Sequence, residues 1–92
     1  MLSPSAWDEL RHLPGNVRRQ IIAAVDGLEQ DARPAASRAL VLPDENREIW
    51  RLRSGYWRII YLIIEEQPLV LAIRRRPPYD YAVLVSLIED SE

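Results

Sequence analysis

The stretch Trp50-Arg51-Leu52-Arg53-Ser54-Gly55-Tyr56-Trp57-Arg58-Ile59-Ile60-Tyr61 decides the fold. Over Glu48–Arg53 apolar and polar residues alternate, the two-residue period of a strand with one buried face. Tyr56–Ile64 is long and rich in β-branched residues, which predicts a second strand, and Ser54-Gly55 supplies a tight turn between the two. Leu69–Arg75 reads as a third strand after a four-residue loop, Glu65-Glu66-Gln67-Pro68, and Pro77-Pro78 ends it.

Outward from this meander the period lengthens to 3.6. Ser3 or Ser5 can cap a first helix, with Asp8 in its first turn facing the positive end and Trp7, Leu10 and Leu13 on one stripe. Pro14-Gly15 stops it, and Asn16 can cap a second helix whose stripe is Val17, Ile21, Ala24, Val25 and Leu28. Gly27 weakens the end of that helix, and Pro34 marks a loop. After the strands, Tyr81, Leu84, Val85 and Ile88 recur at helical spacing, which predicts a short closing helix over Tyr79–Asp90. The expected fold is α+β: an αα-hairpin packed on an antiparallel three-stranded sheet, with a short C-terminal helix.

A chain of 92 residues is one domain, 1–92, able to bury roughly 60–65% of its unfolded surface in a thin core. That excludes a two-domain enzyme with a deep cofactor cleft. With no cysteine, a disulfide scaffold, a cysteine zinc site and a cysteine nucleophile are excluded too. No apolar run approaches the ~18–20 residues of a membrane span, and the N-terminus lacks the pattern of a signal peptide. A soluble cytoplasmic domain without metal or cofactor is the expectation.

The formal charge of −2 hides a strong asymmetry. Residues 47–78 hold seven arginines against three glutamates, whereas residues 79–92 hold four acids and no base. A local field of this kind matters more to an approaching polyanion than the total does.

The loops set a register. A two-residue turn at Ser54-Gly55 would set Arg51 opposite Arg58, and a loop at 65–68 would set Arg58 opposite Arg75. One face would then carry Trp50, Leu52, Trp57, Ile59, Tyr61 and Ile63 toward the helices. The other would carry Arg51, Arg53, Tyr56, Arg58 and Arg75, with Ile60, Leu62, Leu71 and Ile73 farther along. Like charges directly opposite destabilise a sheet by a few tenths to ~1 kcal/mol per pair. A row of Arg51, Arg58 and Arg75 is thus either an anion site or a set of side chains splayed into water or paired with Glu89, Asp90 or Glu92.

Other candidates are weaker. His12 has no second histidine and reads as a surface residue; Asp44, Glu45 and Glu48 lack metal-ligand spacing and read as solvated. Tyr79 and Tyr81 follow Arg74-Arg75-Arg76, and each is a hydrophobic anchor or a base-stacking and proton-transfer group.

The segment Ala6-Trp7-Asp8-Glu9-Leu10-Arg11-His12-Leu13, then Val17-Arg18, Leu40, Pro43-Asp44 and above all the Trp50–Tyr61 hairpin resembles the RelE/ParE superfamily of bacterial type II toxins. The resemblance runs from about residue 5 to residue 81, with Arg74-Arg75-Arg76-Pro77-Pro78-Tyr79-Asp80-Tyr81 in support. It implies a small α+β toxin neutralised by a cognate antitoxin in a hetero-oligomer. The RelE-like branch cleaves mRNA in the ribosomal A site, and the ParE-like branch poisons DNA gyrase. The resemblance further implies a site in which Arg51 and Arg58 match basic residues of the central strands, and Arg75 with Tyr81 matches an Arg and Tyr six apart, Tyr79 being the alternative tyrosine. Arg53, Tyr56, Arg74, Arg76 and Tyr79 would complete the RNA-binding surface. The family's second lysine has no counterpart, since Ile49 stands there. Its first strand is expected to be absent or vestigial, because only Met1-Leu2 precedes Ser3.

The implied chemistry is attack by a ribose 2′-hydroxyl on the adjacent phosphate. Arginines would stabilise the charge of the transition state, and a tyrosine would transfer the proton. A gyrase inhibitor, or a degenerate homologue without toxicity, is the alternative.

Overall fold

In a computed structural model, which describes residues 1–75 together with Val85, Ser86 and Ile88, two helices are followed by four strands. The helices are α1 (Pro4–Arg11) and α2 (Gly15–Gln30), and the strands are β1 (Ser37–Leu40), β2 (Glu48–Ser54), β3 (Trp57–Ile64) and β4 (Gln67–Arg74). The strands form an antiparallel meander in the order β1-β2-β3-β4. The expected α+β architecture is present, with one strand more than the three predicted.

Ser3 caps α1: its Oγ accepts from the Ala6 N–H at 3.2 Å, and its own N–H donates to the Val70 carbonyl at 2.8 Å, tying the helix start to β4. Leu2 makes a single parallel bridge to Val70, where the family's leading strand was expected to be absent or vestigial. Three details of the helix reading change. Asp8 lies beyond the first turn and pairs with Arg11 at 3.0 Å, and its carbonyl accepts from His12 Nδ1 at 2.7 Å. Trp7 is largely exposed; Ala6 and Leu10 carry the buried stripe instead. α2 begins at Gly15, so Pro14 occupies the cap position and Asn16 lies inside the helix. Ile21, Val25 and Leu28 form its buried stripe.

The turns differ from the predicted ones by residues that change the pairing. Gly55 and Tyr56 are the two turn residues between β2 and β3, with φ +59° at Gly55, the left-handed first position that glycine adopts without strain. Glu65 and Glu66 alone connect β3 to β4, both at positive φ, and Gln67 and Pro68 belong to β4. Pro68 is tolerated because β4 is the last strand of the sheet. Arg53 therefore faces Arg58, and Arg51 faces Ile60, two residues away from the predicted register. Because the shift is two residues, the faces of β2 and β3 are those predicted.

The face toward the helices carries Leu52, Ile59, Tyr61, Ile63, Val70 and Ile73 against Ala6, Leu10, Ile21, Val25 and Leu28. Tyr61 is fully buried, and its hydroxyl donates to the Ala32 carbonyl at 2.7 Å. The opposite face carries Ile49, Ile60, Leu62, Leu71 and Ala72, covered by Leu42, Val85 and Ile88. Val85, Ser86 and Ile88 are helical, and Ile88 is buried on this face; the rest of the closing helix lies outside the described residues. Burying each such aliphatic side chain contributes about 1.5–3 kcal/mol, so both faces of the sheet work as core.

Between Tyr61 and Ile60 the β3–β4 register slips by one, leaving Leu71 as an extra residue. Leu71 and Ala72 both pack on the second face, and Ile73 returns to the helix face. Ile73 was expected on the arginine face. The bulge, which resets the alternation of side chains, is the reason it is not there.

Candidate nucleic-acid interface

The second face divides into two halves. One is the apolar cluster under Val85 and Ile88; the other is basic. Strand pairing puts Arg38 opposite Arg51 and Arg53 opposite Arg58, so β1, β2 and β3 contribute four guanidiniums to one face. None of the four has an ion pair among the described residues. Arg58 Nη1 donates to the carbonyls of Gly55 at 3.1 Å and Trp57 at 3.0 Å, which holds its side chain against the turn. The Nε atoms of Arg51 and Arg58 are buried and find no partner among the described residues. Buried donors left unpaired are rare and costly in folded proteins, more so on a charged group.

Strand alternation explains why the β2 carboxylate, Glu48, does not reach this patch, which has no carboxylate among the described residues. Glu48 shares its face with Trp50 and Leu52, on the helix side of β2. There Arg33 binds it through Nε at 2.7 Å and Nη2 at 2.9 Å, and Trp50 Nε1 donates to it at 2.6 Å. The same guanidinium binds Glu66 at 2.9 and 3.2 Å. Hydrogen bonds from Arg33, and for Glu48 also from Trp50, hold both carboxyls below their ordinary range, and Arg33 is raised in turn.

The predicted row of Arg51, Arg58 and Arg75 is not formed. Arg51 faces Ile60 because the turn is one residue later than expected, and Arg58 faces Arg74 because the β3–β4 loop is two residues shorter than expected and the bulge in β4 restores one of them. Arg74 is neutralised: its guanidinium pairs with Glu9 of α1, whose other oxygen accepts the Ile73 N–H at 2.8 Å. Arg75 lies on the helix side, in a cleft shared with Tyr56 and Trp57 at the β2–β3 turn. Tyr56, expected on the arginine face, is exposed in that turn. Arg53 is on the basic face as predicted. Arg38 was missed, since its strand was missed. Arg76, Tyr79 and Tyr81 lie outside the described residues.

Chemically, this patch can bind an anion and stabilise negative charge. A guanidinium stays protonated, so none of the four arginines is a general base. Among the described residues no group of His, Cys, Asp and Glu is placed to hold a metal ion, and no helix is long and apolar enough to cross a membrane.

The fold has solved counterparts. The RelE–RelB complex from Pyrococcus horikoshii OT3 superposes with a TM-score of 0.70 at 20% identity, over 85% of this chain and 93% of that one. The isolated E. coli RelE toxin gives 0.62 at 24%, covering 95% of this chain and 94% of that one. The intact E. coli RelBE toxin–antitoxin complex gives 0.60 at 21%, over 85% and 94%. The chain has the fold of RelE toxins. No protein-family model matches it, and no curated protein matches it by sequence.

Proposed function

We propose that this chain is the toxin of a type II toxin–antitoxin pair, a cytoplasmic endoribonuclease that cuts mRNA on the ribosome. The observation that carries the reading is the patch of Arg38, Arg51, Arg53 and Arg58, four like charges on paired strands with no carboxylate among the described residues. Such a patch lowers stability, and a polyanion recovers that loss by binding it. Planar guanidiniums suit the phosphodiester oxygens of an RNA backbone. RelE folds solved with RelB antitoxin support the toxin reading.

In the proposed reaction the ribose 2′-oxygen attacks the adjacent phosphorus and the bond from phosphorus to the 5′-oxygen breaks. The products are a cyclic phosphate and a free 5′-hydroxyl. Arg51 and Arg58 bind the phosphoryl oxygens as they gain charge, an effect that is largest when the donors are already fixed in position. Arg58 meets that condition through its two bonds to the turn carbonyls. Proton transfer falls to Tyr81 or Tyr79, and the ribosome supplies the alignment of the 2′-oxygen. The antitoxin would neutralise the chain by laying acidic residues on the basic face.

Induction of the chain in a bacterial host tests this. Growth arrest that is relieved by the protein encoded in the adjacent reading frame, and lost in Arg58→Ala at equal soluble expression, is the expected result. Arrest that persists in Arg58→Ala overturns the proposed site. DNA damage with intact mRNA would assign the chain to gyrase inhibition instead.

A further inference from the structure

On the helix side of the β2–β3 turn, the half-open cleft that holds Arg75 has a volume of about 540 Å³, within the roughly 300–1,000 Å³ usual for small-ligand sites. We infer that it binds one unpaired nucleotide of a single-stranded RNA, with the base on Tyr56 and Trp57 and its phosphate on Arg75. This inference rests on the RNA-binding reading above and adds a second contact, separate from the basic face.

Four observations converge. Tyr56 is 76% exposed in a two-residue turn, so its ring is open to a stacking partner. Trp57 lines the same cleft, half-buried and packed against the helix-side core. Pro14 and Val17 supply an apolar wall, and no acidic residue lines the cleft among the described residues. Arg75 is exposed and has no hydrogen bond or ion pair among the described residues, in contrast to its neighbour Arg74.

Polar selectivity is available from Gln20. Its Nε2 is committed to the Ser54 carbonyl at 3.0 Å and the Ser54 hydroxyl at 3.1 Å. Its amide oxygen is left to accept from a donor such as an exocyclic amine. The same contact holds the turn: a Cβ at Gly55 would come within 3.1 Å of Gln20 Nε2. An aromatic surface next to a guanidinium is the arrangement that holds single-stranded nucleic acid without a strict sequence code. Arg53 and Arg58 stand one residue inside the ends of β2 and β3, on the other face of the sheet, so the two sites flank the same turn.

The test is binding of a short fluorescein-labelled 2′-O-methyl oligoadenylate, which cannot undergo 2′-oxygen attack, to the full chain by anisotropy across a salt series. Tyr56→Ala is expected to weaken binding about tenfold with an unchanged salt slope, and Tyr56→Phe to restore it. Arg75→Gln is expected to weaken binding and to reduce the salt slope by about 0.7, the loss of one phosphate contact on a single strand. Both positions are exposed, and unchanged thermal melting confirms that each variant is folded. Wild-type affinity in Tyr56→Ala and Arg75→Gln, with loss in Arg53→Ala and Arg58→Ala, overturns the cleft and leaves the basic face standing. If none of the four variants differs from wild type, or the wild type does not bind, the cleft and the RNA-binding reading fall together.

Discussion

Arg53 stands directly opposite Arg58 across the β2–β3 ladder, with no carboxylate beside either among the described residues. A directly opposed like pair costs a few tenths to ~1 kcal/mol, so exchanging one charge should raise stability. Arg53→Glu is expected to raise the unfolding temperature by up to about 4–8 °C, on the scale of ~1 kcal/mol for a domain of this size. The same variant should lose growth arrest. A lower melting temperature would mean that the pair is not in conflict.

Glu9 is expected to matter for stability rather than for activity. It is the one acid that α1 sends to the end of β4, where it accepts the Ile73 N–H and pairs with Arg74. Glu9→Ala leaves a part-buried N–H and a cation without an acceptor, at a cost of about 1–3 kcal/mol in urea unfolding. Glu9→Gln keeps an acceptor for the N–H and should cost less.

The Arg33 cluster predicts acid sensitivity. Glu48 and Glu66 titrate below the ordinary glutamate range because Arg33 hydrogen-bonds both. The folded protein therefore holds fewer protons than the unfolded chain there. Their contribution is complete above the ordinary value of ~4.3 and is lost as pH falls through the lowered values. Urea midpoints followed down through the carboxylate range should drop more steeply for wild type than for Arg33→Ala. Parallel curves would remove the cluster from the explanation.

Tyr61 gives the opposite limb. Burial raises its phenol above the ordinary ~10, so its neutral form is favoured in the fold. That contribution is complete below ~10 and is lost as pH rises through the raised value. Tyr61→Phe removes the bond to the Ala32 carbonyl, at a cost of about 1 kcal/mol, and should flatten the alkaline loss of stability.

The extent to which this molecule could be read from its sequence depends on the range of each signal. The stripe of α2, the faces of β2 and β3 and the basic middle third are local signals, and they were legible. β1 was not, because Ser37-Arg38-Ala39-Leu40 contains no β-branched or aromatic residue and is a strand only by pairing with β2. With it Arg38 was missed. The register was displaced because Ser54-Gly55 and Gly55-Tyr56 are both plausible turns by composition, and the side chain of Gln20, thirty-four residues from Ser54, holds the turn observed. The bulge at Leu71 has no glycine to mark it, so Arg75 could not be assigned to the helix side. Glu9 reaches Arg74 across sixty-five residues, beyond any local pattern.

Primer extension on cellular mRNA after induction is the most direct measurement of whether the basic face cuts RNA on the ribosome. Codon-phased breaks with the wild-type chain, absent from an Arg51→Ala/Arg58→Ala variant at equal soluble expression, are the predicted result. Intact transcripts under wild-type growth arrest, or unchanged breaks with the double variant, would contradict it.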